Sequence, residues 1–142
     1  MVGTIEKILV WIGMILLCLF FWVAMFKGCV NAGQDKELTA SWYSIESLKQ
    51  EGTYKHSKGV MANGQLFSDY GFTCANNLYP LGSLLRVTAI DSGKSVIVKT
   101  TDRIGKRFGK TRVDLSITAM EALAGEQGLL QGLIKVKVER IA

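Results

Sequence analysis

One histidine, one proline and three cysteines are all that this chain of 142 residues holds of those types, and each scarcity closes off a class of function. His56 stands alone, and no Cys/His cluster has metal-ligand spacing, so no zinc or other metal site is expected. Cys18 lies inside a long apolar run and Cys29 just beyond it, which leaves Cys74 without an intradomain partner. The fold therefore does not depend on a disulfide. There is no repeat and no low-complexity tract, and the composition excludes a disordered chain, a coiled coil and a disulfide scaffold. The two glycines between Arg103 and Lys110 lack the phosphate-loop spacing, so a nucleotide site is unsupported and no cofactor is expected.

What the chain has in abundance is uncharged apolar sequence at one end. Residues 8–26 (ILVWIGMILLCLFFWVAMF) carry no charge. At ~1.5 Å rise per residue such a helix comes close to the ~30 Å hydrocarbon thickness of a bilayer. Lys7 and Lys27 close its ends, and Trp11 and Trp22 lie near the flanks where interfacial aromatics are favoured. The expectation is a transmembrane helix that attaches the protein to a membrane. The run exceeds the ~7–15 apolar residues of a cleaved signal, and no Ala-x-Ala site follows it. A second reading starts from Phe26-Lys27-Gly28-Cys29, which resembles a bacterial lipoprotein signal with Cys29 as the lipidated N-terminus. Residues 1–29 are thus a membrane anchor or signal segment, residues 30–38 a polar tether, and residues 39–142 the domain. What remains beyond the anchor is enough for one real core and not for two domains.

Period-two alternation dominates that domain. Ile134, Val136 and Val138 alternate with Lys135, Lys137 and Glu139, giving one apolar and one wet face. Residues 85–90 and 95–100 read as strands joined by Asp91-Ser92-Gly93-Lys94, which has hairpin-turn chemistry. Residues 39–43 are a further strand candidate, and Tyr79-Pro80-Leu81-Gly82 is a turn. One helix is expected from Ser116 as cap through residues 117–124, with Gly125 as its C′ residue, and a shorter one over residues 44–50. Short strands with a single clear helix predict a small β-barrel or sandwich with the helix plugging one end.

The N-terminal 29 residues contain only Glu6, Lys7 and Lys27, so nearly all of the 17 Lys+Arg and 12 Asp+Glu belong to the domain. Its basic stretch, Arg103, Lys106, Arg107, Lys110 and Arg112, has Phe108 as its one aromatic. Nucleic-acid binding is not expected from so few stacking residues in a chain that opens with a membrane segment. A solvated loop and contact with an anionic wall polymer are the two readings that remain.

Several spaced motifs then agree. They are Ala40-Ser41-Trp42-Tyr43, Met61-Ala62-Asn63-Gly64-Gln65-Leu66-Phe67, Tyr79-Pro80-Leu81-Gly82, Thr101-Asp102-Arg103 and Val113-Asp114-Leu115-Ser116. In that order, over residues 39–141, they resemble the rare lipoprotein A (RlpA) family of bacterial cell-wall proteins. The resemblance implies a mainly β fold, a six-stranded double-psi β-barrel with one or two short helices behind the N-terminal transmembrane helix. It implies peptidoglycan glycan strands as partner and a location facing the periplasm or outer surface of a bacterium, in a cellular or phage-encoded protein. It also implies a lytic transglycosylase that cleaves the β-1,4 bond between N-acetylmuramic acid and N-acetylglucosamine and leaves 1,6-anhydro ends.

That chemistry needs one carboxyl group that protonates the glycosidic oxygen and then, as carboxylate, deprotonates the sugar's own C6 hydroxyl. Water and a second nucleophilic carboxylate are not required, unlike in two-carboxylate hydrolases. The family's acid/base aspartate falls on Asp102, beside Arg103 as a supporting residue. Its Asn-Gly-Glu motif reads Asn63-Gly64-Gln65 here, and where active members place a histidine the chain has Asn76. Both replacements keep hydrogen-bonding capacity but remove ionisable groups, so Gln65 and Asn76 are expected to bind substrate. The same losses raise the alternative of an expansin-like module that binds the wall without cleaving it. Asp114 matches an aspartate of related barrels' grooves and equally suits a helix start near Ser116. Trp42 and Tyr43 suit a sugar-stacking platform or core packing. His56 is either an exposed loop residue or a replacement for the missing histidine.

Overall fold

The computed structural model describes residues 35–142 together with Gly3 and Met14. The expected membrane helix, residues 8–26 apart from Met14, and Cys29 lie outside the described residues. Among the described residues no helix is long and apolar enough to cross a membrane. Two compact units are distinguished, Met1–Asn31 and Ala32–Ala142, and the second carries the fold.

Six strands form a closed barrel: β1 (Lys36–Tyr43), β2 (Thr73–Ala75), β3 (Leu84–Ala89), β4 (Ser95–Asp102), β5 (Arg112–Ser116) and β6 (Ile134–Arg140). Around the barrel the order is β1-β5-β2-β4-β3-β6. The β1/β5 and β2/β4 pairs are parallel and the other four antiparallel. This is the expected six-stranded mixed barrel with few helices. β1 begins at Lys36 and pairs with β6 from there, so strand replaces the last three residues of the expected tether.

Alternation decides which side chains fill the barrel. Leu38 and Ala40 of β1, Leu85 and Val87 of β3, Val96 and Val98 of β4, Val113 and Leu115 of β5, and Val136 and Val138 of β6 all point inward and are buried. Each buried Val or Leu contributes about 1.5–3 kcal/mol relative to exposure. Ala119, Met120 and Leu123 of the long helix α3 (Ile117–Gln131) join the same cluster. Ser116 caps α3 as expected, its hydroxyl accepting from the Ala119 N–H. Gly125 interrupts it at φ 62°, ψ −162°, yet the helix resumes and ends only at Gly132. The expected stop at Gly125 is therefore a kink, since a second turn-forming stretch follows it directly.

Two short helices follow β1. α1 (Ile45–Gln50) starts with a reciprocal capping box between Ser44 and Ser47, and Asp69 accepts from the Ile45 N–H. α2 (Thr53–Ser57) turns the expected loop around His56 into one further helical turn. Outside the barrel wall, Tyr43, Met61, Phe67 and Ala75 make a second buried cluster, with Tyr43 and Phe67 stacked at 4.5 Å between centroids. It seals the loop over residues 60–67 onto the outer face of β1 and β2.

Candidate active site

An irregularity in β4 sets the direction of its last carboxylate. Val96, Val98 and Thr100 face the interior, so strict alternation would turn Asp102 inward as well. The register instead runs from Cys74↔Thr100 to Ala75↔Asp102, leaving Thr101 as an extra residue on β4. Such a bulge shifts the phase of the strand by one. Thr101 is buried, and Asp102 emerges on the outer face at the strand's end.

There it joins a row whose groove-lining members, Asp102, Ala75 and Asp114, come from three strands. Ala75 of β2 is in register with Asp102 on one side and with Asp114 of β5 on the other, and Asp114 in turn with Ser41 of β1. At the usual strand spacing the Cα atoms of Asp102 and Asp114 are about 10 Å apart, separated only by the methyl group of Ala75. The row forms part of the floor of an open groove of about 360 Å³. Leu48, Thr53 and Glu51, the C-cap of α1, form one wall, and Arg103, Ile104, Gly105 and Phe108 form the other.

The two carboxyl groups have different surroundings. Asp102 Oδ1 accepts the backbone N–H groups of Ala62 (2.9 Å) and Arg103 (2.8 Å). Among the described residues its Oδ2 has no partner, so that oxygen is the one left for a proton or a substrate atom. Asp114 Oδ1 accepts from the Ser41 hydroxyl at 2.8 Å. Burial pushes the Asp114 carboxyl above the ordinary Asp value, with Glu51 and Asp102 adding in the same direction, against the Ser41 hydrogen bond and the charge of Arg112. The Tyr43 hydroxyl, on a residue 7% exposed, is raised as well, by burial first and then by the nearby aspartates.

The remaining expected site residues divide. Trp42 and Tyr43 both line the groove. Each is also a packing residue: Trp42 lies against the barrel core and donates Nε1–H to the Leu129 carbonyl, and Tyr43 stacks on Phe67. Of the two expected alternatives, core packing is what these contacts show. Arg103 lines the groove, but its Nη1 donates to the carbonyls of Asn76 (2.7 Å) and Tyr79 (2.8 Å), which makes it the clamp of the loop that follows β2.

Asn76 is not a groove residue. Its side chain is wholly buried, donating to Thr100 Oγ1 at 2.9 Å and accepting from the N–H groups of Leu78 and Tyr79. The short side chain satisfies the turn into Pro80 from inside, which is why an amide suits this position. Gln65 is exposed in the loop that covers Asp102, its Oε1 accepting from Asn63 Nδ2. Neither it nor His56, exposed on α2, is among the groove's lining residues. Glu51 is a charged lining residue that sequence reasoning passed over; Phe108 and Arg112 were seen only as part of a basic stretch. The outward positions of β5, Arg112 and Asp114 flanking the inward Val113, carried a period-two signal that identifies them. Among the described residues no group of His, Cys, Asp or Glu has the geometry to hold a metal ion.

Residues 35–138 match the lytic transglycolase family. The endolytic peptidoglycan transglycosylase RlpA of Pseudomonas aeruginosa is 41% identical over 103 residues, which cover 72% of this chain and 26% of the relative. The chain thus spans about a quarter of the length of that curated relative. Among solved structures, the Streptomyces papain inhibitor superposes with a TM-score of 0.56 at 20% identity, covering 78% of this chain and 96% of the other. The apo expansin of Clavibacter michiganensis superposes with a TM-score of 0.52 at 19% identity, covering 77% and 51%. Both structures are similar in fold alone.

Proposed function

The chain belongs to the lytic transglycolase family, the RlpA-like double-psi β-barrels, and from that premise we propose that its groove cleaves peptidoglycan glycan strands by lytic transglycosylation. The scissile bond is the β-1,4 link between N-acetylmuramic acid and N-acetylglucosamine, and the product carries a 1,6-anhydro end. Asp102 is the acid/base. The observation that carries this role is its asymmetry: two backbone N–H groups hold Oδ1 still, while Oδ2 remains open. Oδ2 delivers a proton to the glycosidic oxygen, and the resulting carboxylate takes the C6 hydroxyl proton as the ring closes. The backbone donors come from Ala62 in the loop over residues 60–67 and from Arg103, so the carboxyl group is held in place from two separate segments.

A second division of labour is favoured by the raised Asp114. A general acid must keep its proton near neutral pH, and burial moves the Asp114 carboxyl in that direction. In this arrangement Asp114 protonates the leaving oxygen, and Asp102 stabilises the positive charge on the sugar and accepts the C6 proton. Binding of glycan comes from Trp42, Tyr43 and the loop that bears Gln65. The protein works outside the cytoplasm, held to a membrane by residues 8–26 or by a lipid on Cys29.

The test is digestion of intact and peptide-stripped peptidoglycan by the wild type, Asp102→Asn and Asp114→Asn, with the released sugars read by mass spectrometry. Anhydro-muramyl products that vanish in Asp102→Asn and persist in Asp114→Asn establish Asp102 as the single acid/base. Loss in both variants establishes the two-carboxyl arrangement. Reducing ends in place of anhydro ends mean hydrolysis and overturn the transglycosylase reading. Retention on the wall without release leaves a binding module of the expansin kind.

A further inference from the structure

The wall of the groove opposite the short helices ends in an aromatic ring that carries two cations. The Arg112 guanidinium carbon lies 4.1 Å from the centroid of the Phe108 ring and that of Arg107 lies 5.6 Å from it. Arg112 and Phe108 both line the groove. Among the described residues the only ion pairs are Arg86 with Glu139 and Lys137 with Asp35, and neither Arg107 nor Arg112 makes a side-chain hydrogen bond. Asp114, two positions along the same outward face of β5, feels the charge of Arg112 without pairing with it.

A guanidinium stacked on a ring keeps its N–H edge free and fixed in direction, which suits bidentate binding of a planar carboxylate. Here all those donors are unspent at the lip of a ligand groove. A chain of N-acetylglucosamine has no carboxylate to offer. A muramyl residue does: its lactyl carboxyl is either free or joined to a peptide that brings carboxylates of its own. Resting on the reading of the ligand as peptidoglycan, we propose that Arg112, held on Phe108 with Arg107 beside it, is the groove's carboxylate receptor. It selects muramyl-containing strands over plain N-acetylglucosamine polymers.

The experiment measures binding of the full chain in mild detergent to three glycans: peptide-stripped strands with free lactyl carboxylates, intact peptide-bearing strands, and chitin oligosaccharides. The wild type is expected to hold at least one carboxylate-bearing glycan about tenfold more tightly than chitin, as a charge-assisted hydrogen bond implies, and to lose that margin as salt is raised. Whichever strand is preferred identifies the carboxylate as lactyl or peptide-borne. Arg112→Gln should erase the margin and leave chitin binding intact, Arg112→Lys should retain part of it, and Phe108→Leu should weaken it with Arg112 still present. Equal wild-type affinity for all three glycans overturns the proposal. So does an Arg112→Gln variant that loses all three equally, with Phe108→Leu keeping the full margin. Release of anhydro sugars by a wild type without preference removes the receptor and leaves the activity standing. A preference without any release does the reverse.

Discussion

Replacing Asn76 by alanine tests whether this residue belongs to the turn or to the groove. Its side chain makes three hydrogen bonds of ordinary length: Nδ2 to Thr100 Oγ1 at 2.9 Å, and Oδ1 from Leu78 N at 3.1 Å and Tyr79 N at 2.9 Å. A weaker contact reaches Cys74 Sγ at 3.6 Å. Each net hydrogen bond contributes about 1 kcal/mol, and an orphaned buried partner costs about 1–3 kcal/mol. Leu78 and Tyr79 are only half-buried, so water relieves part of that cost. The loss should come to about 3 kcal/mol. For a domain of this size that lowers Tm by roughly 12–20 °C. Thermal unfolding followed by circular dichroism reads it directly, with the exposed Gln65→Ala as a control that should change stability by no more than about 0.5 kcal/mol. Asn76→His is the sharper variant. The pocket that holds Asn76 is filled, so histidine should destabilise the fold and add no activity. An Asn76→Ala protein that melts within about 3 °C of wild type, or an Asn76→His protein with enhanced cleavage, would refute the assignment to the turn.

Three further outcomes are expected. The Asp114 pKa is raised in the folded protein, so the protonated form contributes stability that is complete below the ordinary Asp value and lost as pH rises through the raised one; Tm measured against pH should show this decline in wild type and lose it in Asp114→Asn. Burial pushes the Cys74 thiol up to about 11, so alkylation mapped by mass spectrometry should leave Cys74 unmodified at pH 8 until the barrel is unfolded. Leu123→Ala, at a fully buried site where α3 meets the barrel, should cost about 2–5 kcal/mol in urea unfolding, whereas Leu130→Ala at an exposed site on the same helix should cost little.

The strands that alternation could reveal were legible. β3, β4 and β6 each present enough residues to show one dry and one wet face, whereas β1 was expected only from residue 39 and on its residue types. β2 is three residues long, too short for any period to register. β5 does alternate, but Asp114 and Ser116 also look like a helix start, and both descriptions hold because Ser116 ends the strand and caps α3. The bulge at Thr101 had no signature, since an extra residue exists only relative to the partner strand. Asp102 and Asp114 were reached through the family resemblance, whereas their alignment on either side of Ala75 required the sheet order. Asn76 shows the limit of carrying a position over by resemblance: the chain position matches, and the side chain turns into the fold.

The strand order also constrains the course of folding. β1 is made first during synthesis, and its two neighbours, β5 and β6, are made last. Among the described residues the only tight hairpin is β3–β4, so most pairings join residues far apart in the chain, the situation in which loop-closure entropy slows folding. Until β6 emerges, β1 and β3 both expose open edges, and the terminal residues Ile141 and Ala142 still have to pair with Leu84. A nascent or C-terminally truncated chain therefore presents two unpaired strand edges at once, a template for association with other chains. Loss of the last ten residues, none of which lines the groove, should be more damaging to soluble yield than any single substitution in the groove.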